Sequence, residues 1–467
     1  MTNCSVPQLS EQELKNSALY RLDDKYMSWG DTVHYQSRPI IADSCLGDRV
    51  VDIHGNIYLD SQMWHSSCNF GYRNREIEQA VERQLHKLPQ VSGDYLHEEK
   101  LLLAEEICEA IYQRTGLRGR VGFNVGGTLV VEDALKIVRK NTGRNRVATL
   151  MGGYHGRSLT VSGMSSSHRY RQYYGEFADR AIMFPYANCG QCYYDKQPGE
   201  CGSYCGKMIS RAMENDFYGI ASENSNEIGA FFLELCQGRG YTVPPKDFFR
   251  QFVPEMQKRG ILIVDDEIQV GMFRTGKLFA FEHYDIVPDI ITLGKSLTNG
   301  LSPLSAVWAR EELVSRDIFT PGHAHSNFAN HSLGTAAALQ TWRYMIAHDY
   351  EPLLSQKSAY FMGGLRRLKQ RYPFIGLIEG LGMLFSVTFT TPDGLPWRNA
   401  GKQAVTLAQD NDYVYQGETL RLILNSGGYH CEKIKLAPWL DMGYEEMERM
   451  LTILDQVFAA LADAEEV

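Results

Sequence analysis

The chain has 467 residues, 44% hydrophobic and 22% charged, enough to bury a sizeable core and long enough for two or three domains. Lys and Arg number 47 against 56 Asp and Glu, a net charge of −9, which excludes a general nucleic-acid surface. No apolar run reaches the length of a membrane span, the first residues lack a signal-peptide pattern, and the ten cysteines read as reduced thiols, so a cytoplasmic protein without a membrane partner is expected.

Residues 1–45 alternate polar and aromatic character without a sustained period and predict an arm packed on something else. Val50–Asp60 predicts two short strands around a His54-Gly55-Asn56 turn. Helical periodicity then marks Ile77–Leu88, Glu98–Tyr112, Val131–Lys140, Phe248–Lys258 and Gly334–Ile346. Between them lie aliphatic strand patterns at Val121–Val125, Val147–Met151, Ala181–Phe184, Ala230–Leu235, Ile261–Asp265, Ile290–Leu293 and Ser305–Trp308. This alternation predicts an α/β fold with a mostly parallel central sheet covered by helices on both faces. After Asp349 longer helices with few strands, ending in the amphipathic Tyr444–Leu461, predict a second, smaller α+β domain. The expected division is an arm at 1–45, a small domain from 46–75 and 346–467, and a large domain at 76–345 with a cysteine-rich insert at 186–206.

Four segments carry chemistry. Lys295, in PDIITLGKSLTNG, follows an apolar strand directly, at the sheet edge where ligands of open α/β sheets bind. A lysine shielded there loses its proton and attacks carbonyls; a solvated loop charge is the other reading. Strand Ile261–Asp265 runs into Asp266, whose carboxylate suits a protonated pyridine nitrogen, with Gln269 placed for the ring's phenolate oxygen. A capping or metal-binding Asp-Asp pair is the alternative there. Gly126-Gly127-Thr128 links a strand to a helix N-terminus and suits a phosphate, unless it is only a tight turn. Tyr154, in GGYHGRS, is an aromatic at a strand end that either stacks on a flat heterocycle or is simply buried.

Taken in order, GGT before a helix, GGYHGRS, Glu234 in FFLELCQG, DDEIQVGMFRTG and GKSLTNG resemble the class III (ornithine and omega-amino-acid type) aminotransferases over about Ala42–Leu461. The resemblance implies pyridoxal 5'-phosphate (PLP) fold type I. It also implies a Schiff base on Lys295, which later shuttles a proton, and Asp266 facing the pyridine nitrogen. Gln269 would reach the ring oxygen, Tyr154 would stack on the ring, and Gly126, Gly127 and Thr128 would cradle the phosphate. Ser326 or Asn327 would reach the neighbouring subunit's phosphate, making the protein a homodimer or higher homo-oligomer, and Trp64 would line the substrate pocket. The implied reaction moves an amino group from an amine or omega-amino donor to an oxo-acid acceptor. Racemisation, decarboxylation, elimination or carbon–carbon bond formation on the same cofactor is the alternative.

The chain departs from this family in places. Leu235 and Cys236 follow Glu234 where Pro and Val are usual. Lys435 stands where an arginine commonly grips a substrate carboxylate, Trp439 replaces a proline beside it, and Arg421 is the candidate to supply the missing guanidinium. Cys189, Cys192, Cys201 and Cys205 have spacing that suits a structural zinc, with free or packed thiols as the other reading. His65, His323 and His325, close to these motifs, read as hydrogen-bonded or solvated side chains.

Overall fold

The computed structural model describes residues 11–36, 39–175, 181–214, 219–220, 227–324, 326–329 and 331–464. His325 and the first ten residues of the expected arm lie outside them. Three strands come first: β1 (Ala42–Leu46), β2 (Arg49–Asp52) and β3 (Ile57–Asp60). β2 and β3 pair antiparallel across the expected turn, where Gly55 takes a φ of +82° that suits a residue without Cβ. The Asp52 carboxylate pins the turn, accepting from the backbone N–H groups of His54 and Asn56, each at 2.9 Å.

The next seven strands are β4 (Gly119–Asn124), β5 (Arg146–Leu150), β6 (Ile182–Phe184), β7 (Ile228–Leu233), β8 (Leu262–Asp266), β9 (Ile290–Leu293) and β10 (Ser305–Arg310). They form one sheet in the order β4-β10-β9-β8-β7-β5-β6. Only β10 runs against the others, antiparallel to both β4 and β9, so the sheet is mostly parallel as expected. Every residue of β7, β8 and β9 is buried, which is why these strands read as continuous aliphatic runs. Along β7, Phe231 and Leu233 enter one apolar cluster while Ala230 and Phe232 enter another with Val130, Val131 and Val138 of helix Gly127–Thr142. Helices therefore cover both faces.

The remaining strands are β11 (Ile375–Leu381), β12 (Leu384–Phe389), β13 (Tyr413–Tyr415), β14 (Glu418–Ile423), β15 (Asn425–Gly427) and β16 (Lys433–Leu436). β11-β12-β16-β15 form an antiparallel sheet, while β13 and β14 extend β1–β3, with β14 parallel to β3. The last helix, Tyr444–Asp463, buries Met447, Met450, Leu454, Val457 and Leu461 along one face.

Two local expectations differ. A helix spans Glu11–Tyr26 where no periodicity was visible; it docks through polar contacts, Asn16 Nδ2 donating to the Ile53 carbonyl at 3.1 Å and meeting His54 Nδ1 at 3.1 Å. The segment expected as one helix over Phe248–Lys258 is a 3-10 turn at Phe249–Gln251 followed by helix Val253–Lys258, with Pro254 in its first turn.

Candidate active site

The carboxyl ends of the central strands bring the sequence motifs together. Asp266 ends β8, Lys295 follows β9 after Gly294, the Gly126-Gly127-Thr128 turn follows β4, and the Tyr154 loop follows β5. Ile268 sits among three of them: a Cβ on Gly127 would lie 3.0 Å from its Cδ1, and one on Gly294 would lie 3.4 Å from its Cγ2. Gly156, at φ +136°, packs so closely on Thr128 that any side chain would collide with it, joining the tyrosine loop to the glycine turn.

Asp266 Oδ2 meets His155 Nδ1 at 2.8 Å, and its Oδ1 accepts from Thr292 Oγ1 at 3.2 Å and Ile268 N at 3.3 Å. Burial alone would push the His155 imidazole down, but the bond and charge of Asp266, helped by Glu234, hold it above the usual histidine range. Of the two consecutive carboxylates, Asp265 alternates to the other face of β8, where burial and the neighbouring Glu267 hold it well above the carboxylate range. Burial pushes the half-buried Lys295 amine below the usual lysine range, with Asp266 and Glu234 pulling against it. The lysine itself is strained, at φ +46° in the left-handed region. Glu234 locks two loops, accepting from Tyr154 N at 2.7 Å and from Gly238 N at 3.1 Å.

Trp64 is set by unusual backbone. Met63, Trp64, His65 and Ser66 all have φ between +47° and +67°, and the Asp60 carboxylate holds the turn by accepting from the N–H groups of Gln62, Met63 and Trp64. The Trp64 ring lies against Gly300, beside the lysine loop. Gln269 Nε2 donates to the His65 carbonyl at 3.4 Å and to Tyr241 Oη at 3.1 Å. His65 bonds Asn425 at 2.8 Å, and burial with the nearby Lys435 and Lys295 charges pushes its imidazole down to about 4. His323 bonds Thr320 at 3.0 Å. The ring of Tyr154 is partly exposed and meets Tyr170 edge-on at 5.5 Å.

Lys435 lies beside the Gly238 turn and Tyr241, within the influence of Lys295, whereas Arg421 is engaged on β14. Lys435 Nζ donates to the Gly238 carbonyl at 2.8 Å and lies 5.1 Å from the Tyr241 ring centre; burial, Arg239 and Lys295 push it down to about 8. Arg421, on β14, donates to Asp412 Oδ1 at 2.8 Å and to Tyr58 Oη at 3.2 Å. Trp439 packs on Gly71, where a Cβ would lie 2.6 Å from its Cε3. Ser326 is half-buried and Asn327 exposed, ahead of helix Ser332–Ala347.

Of the two readings of the cysteine-rich insert, the structure favours packed thiols. Cys189, Cys192, Cys201 and Cys205 are all free, and among the described residues no three His, Cys, Asp or Glu side chains are gathered to hold a metal. Burial, reinforced by the neighbouring thiols, raises Cys189 and Cys205, the latter to about 11.

The residues present fit pyridoxal phosphate. Helix Gly127–Thr142 begins at an extended Gly126 with no side chain capping its first turn, so its N–H groups are open to an anion. A buried carboxylate and a lysine held toward neutrality share the same sheet edge. Sequence reasoning missed His155, though it stands in the quoted GGYHGRS segment; the signal was a second polar ring beside the tyrosine at a strand end. It also missed Tyr241 and Thr292.

Comparison with known proteins agrees. The chain is 29% identical to the leucine/methionine racemase of Thermococcus litoralis, over 92% of each chain. It is 32% identical to a probable 4-aminobutyrate aminotransferase of Bacillus subtilis, over 73% of this chain and 76% of that one. The solved S-selective transaminase from Arthrobacter sp. with alanine bound has the same fold, with a TM-score of 0.82 at 23% identity over 96% of this chain and 99% of that one. The family model for class-III aminotransferases, enzymes that use pyridoxal 5'-phosphate, matches residues 32–458, and the chain belongs to that family.

Proposed function

We propose that this aminotransferase transfers an amino group from an amine or omega-amino donor to an oxo acid. The observation that carries the reading is the Lys295 amine, held toward neutrality in the pocket of the buried Asp266–His155 pair. Bound, pyridoxal phosphate supplies an aldehyde that takes up amino groups and a ring that accepts the electron pair left on the substrate carbon. Lys295 would carry the cofactor; an unprotonated lysine amine is both nucleophile and base, and once released Lys295 would be the group to move a proton at the substrate carbon. Asp266, fixed by His155, Thr292 and the Ile268 N–H, holds a proton on the ring nitrogen. The open N–H groups of Gly127 and Thr128 would take the phosphate, Gln269 would serve the ring oxygen and Tyr154 would cover the ring. Trp64 lines the substrate side.

Ser326 or Asn327 completes the phosphate site of a second copy, which makes the active form a homodimer in the cytoplasm. The proposed division into an arm at 1–45, a small domain from 46–75 and 346–467 and a large domain at 76–345 is supported by the central sheet, whose strands all fall within the last. An active monomer in sedimentation at micromolar concentration would contradict the shared site.

Racemisation is the second reading, favoured by the relatives from Thermococcus litoralis and Pyrococcus horikoshii that are named racemases. Protein loaded with pyridoxamine phosphate separates the two. Turnover with 2-oxoglutarate or pyruvate supports transamination. No turnover with either, together with loss of chirality in an α-amino acid, supports the racemase.

A further inference from the structure

We propose that Arg239 joins Lys435 in binding a substrate carboxylate and supplies the guanidinium that Lys435 lacks. This rests on the aminotransferase reading and adds a specificity-determining residue to it.

Arg239 lies in the turn after β7, one residue beyond Gly238, whose carbonyl accepts from Lys435 Nζ at 2.8 Å. The Arg239 carbonyl accepts from Gly428 N at 3.3 Å, which ties this turn to the loop after β15. Gly427 packs the turn tightly onto the lysine stem: a Cβ there would lie 3.0 Å from Lys435 Cδ and would strike the Arg239 carbonyl. Glu234 holds the turn from the other side through Gly238 N. The two cations are close enough that the Arg239 charge, after burial, is the strongest influence pushing the Lys435 ammonium down.

Neither cation has a carboxylate partner among the described residues. The contrast with Lys433 on the same strand is direct: its ammonium is paired with Glu379 at 2.7 Å. Arg449 is likewise paired with Asp48 at 3.2 Å. Holding a buried lysine and a half-buried arginine together with no carboxylate in direct contact is unfavourable; Glu234 offsets part of that cost and an anionic ligand would remove more of it. A guanidinium grips a carboxylate with two parallel hydrogen bonds and the ammonium adds a point charge, so the pair suits a carboxylate better than either alone. Every oxo-acid acceptor carries such a group, and we assign the site to the acceptor.

Glutarate, a dicarboxylate with no amino or oxo group, reports binding without turnover. Calorimetry should show Arg239→Gln weakening glutarate about ten- to a hundredfold, with Arg239→Lys recovering part of the loss. In steady state Arg239→Gln should raise KM for 2-oxoglutarate by a similar factor. Unchanged glutarate affinity in a normally folded Arg239→Gln protein overturns the proposal, as does a wild-type protein that does not bind glutarate. A rise in KM for the amino donor alone overturns the assignment to the acceptor. Each of these failures leaves cofactor attachment to Lys295 intact, whereas failure of the aminotransferase reading shows as no turnover of any oxo acid.

Discussion

Replacing Asp266 with Asn changes one atom and removes one charge, so its consequences follow from the contacts Asp266 makes. His155 meets it at 2.8 Å, and both side chains are almost wholly buried. The amide keeps the acceptor for Thr292 and Ile268 but cannot hold a proton on a facing ring nitrogen. The rate should fall by about 3 kcal/mol of transition-state stabilisation, roughly a hundredfold or more. Stability should fall too. Breaking a buried ion pair costs about 3–5 kcal/mol, but an imidazole can shed its proton, so about 1–3 kcal/mol is expected. The sign with pH is fixed by His155, whose folded pKa lies above the ordinary value. Its contribution is fully present below the ordinary histidine pKa and is lost as pH rises through the raised one. The variant should therefore lag wild type most at acidic pH and catch up toward alkaline pH. Single-turnover rates with urea unfolding from pH 5 to pH 9 read both effects. A rate within about threefold of wild type, with a stability gap independent of pH, would refute the argument.

Lys435→Met should stabilise the protein while damaging carboxylate binding. The fall of the Lys435 pKa from 10.5 to about 8 corresponds to about 3 kcal/mol of cost at neutral pH, of which the lost bond to Gly238 returns about 1. The gain, about 2 kcal/mol at pH 7, should shrink between pH 8 and 10.5 as the wild-type ammonium deprotonates in the folded state; urea unfolding measures it, and a destabilised variant contradicts the burial argument. Arg421→Ala should leave KM for oxo acids within about twofold and cost less than about 1 kcal/mol, because its guanidinium is held by Asp412 and Tyr58. A large rise in KM would put Arg421 in the pocket.

The parts of the fold that could be read from the sequence are those governed by period and by strand ends. β8 and β9 are buried on every residue, so their aliphatic runs stood out, and Asp266 and Lys295 followed as polar residues where such runs stop. What stayed hidden depends on contacts between distant segments. His155 and Asp266 are 111 positions apart and meet only because β5 and β8 lie in one sheet. Arg239 and Lys435 are joined by the packing of the turn after β7 against β16, which no local pattern records. The helix Glu11–Tyr26 carries no apolar stripe, and the left-handed turn at Met63–Ser66 is held by the Asp60 carboxylate and not by glycines. The cysteine spacing was legible, but the structure does not bring the four thiols into a metal-binding group.

Everything proposed for this site depends on Lys295 carrying the cofactor. The most direct measurement is borohydride reduction of the protein saturated with pyridoxal phosphate, followed by peptide mapping. One pyridoxyl adduct is expected, on Lys295, and none in Lys295→Ala. An adduct on another lysine, or a Lys295→Ala protein labelled like the wild type, would contradict it.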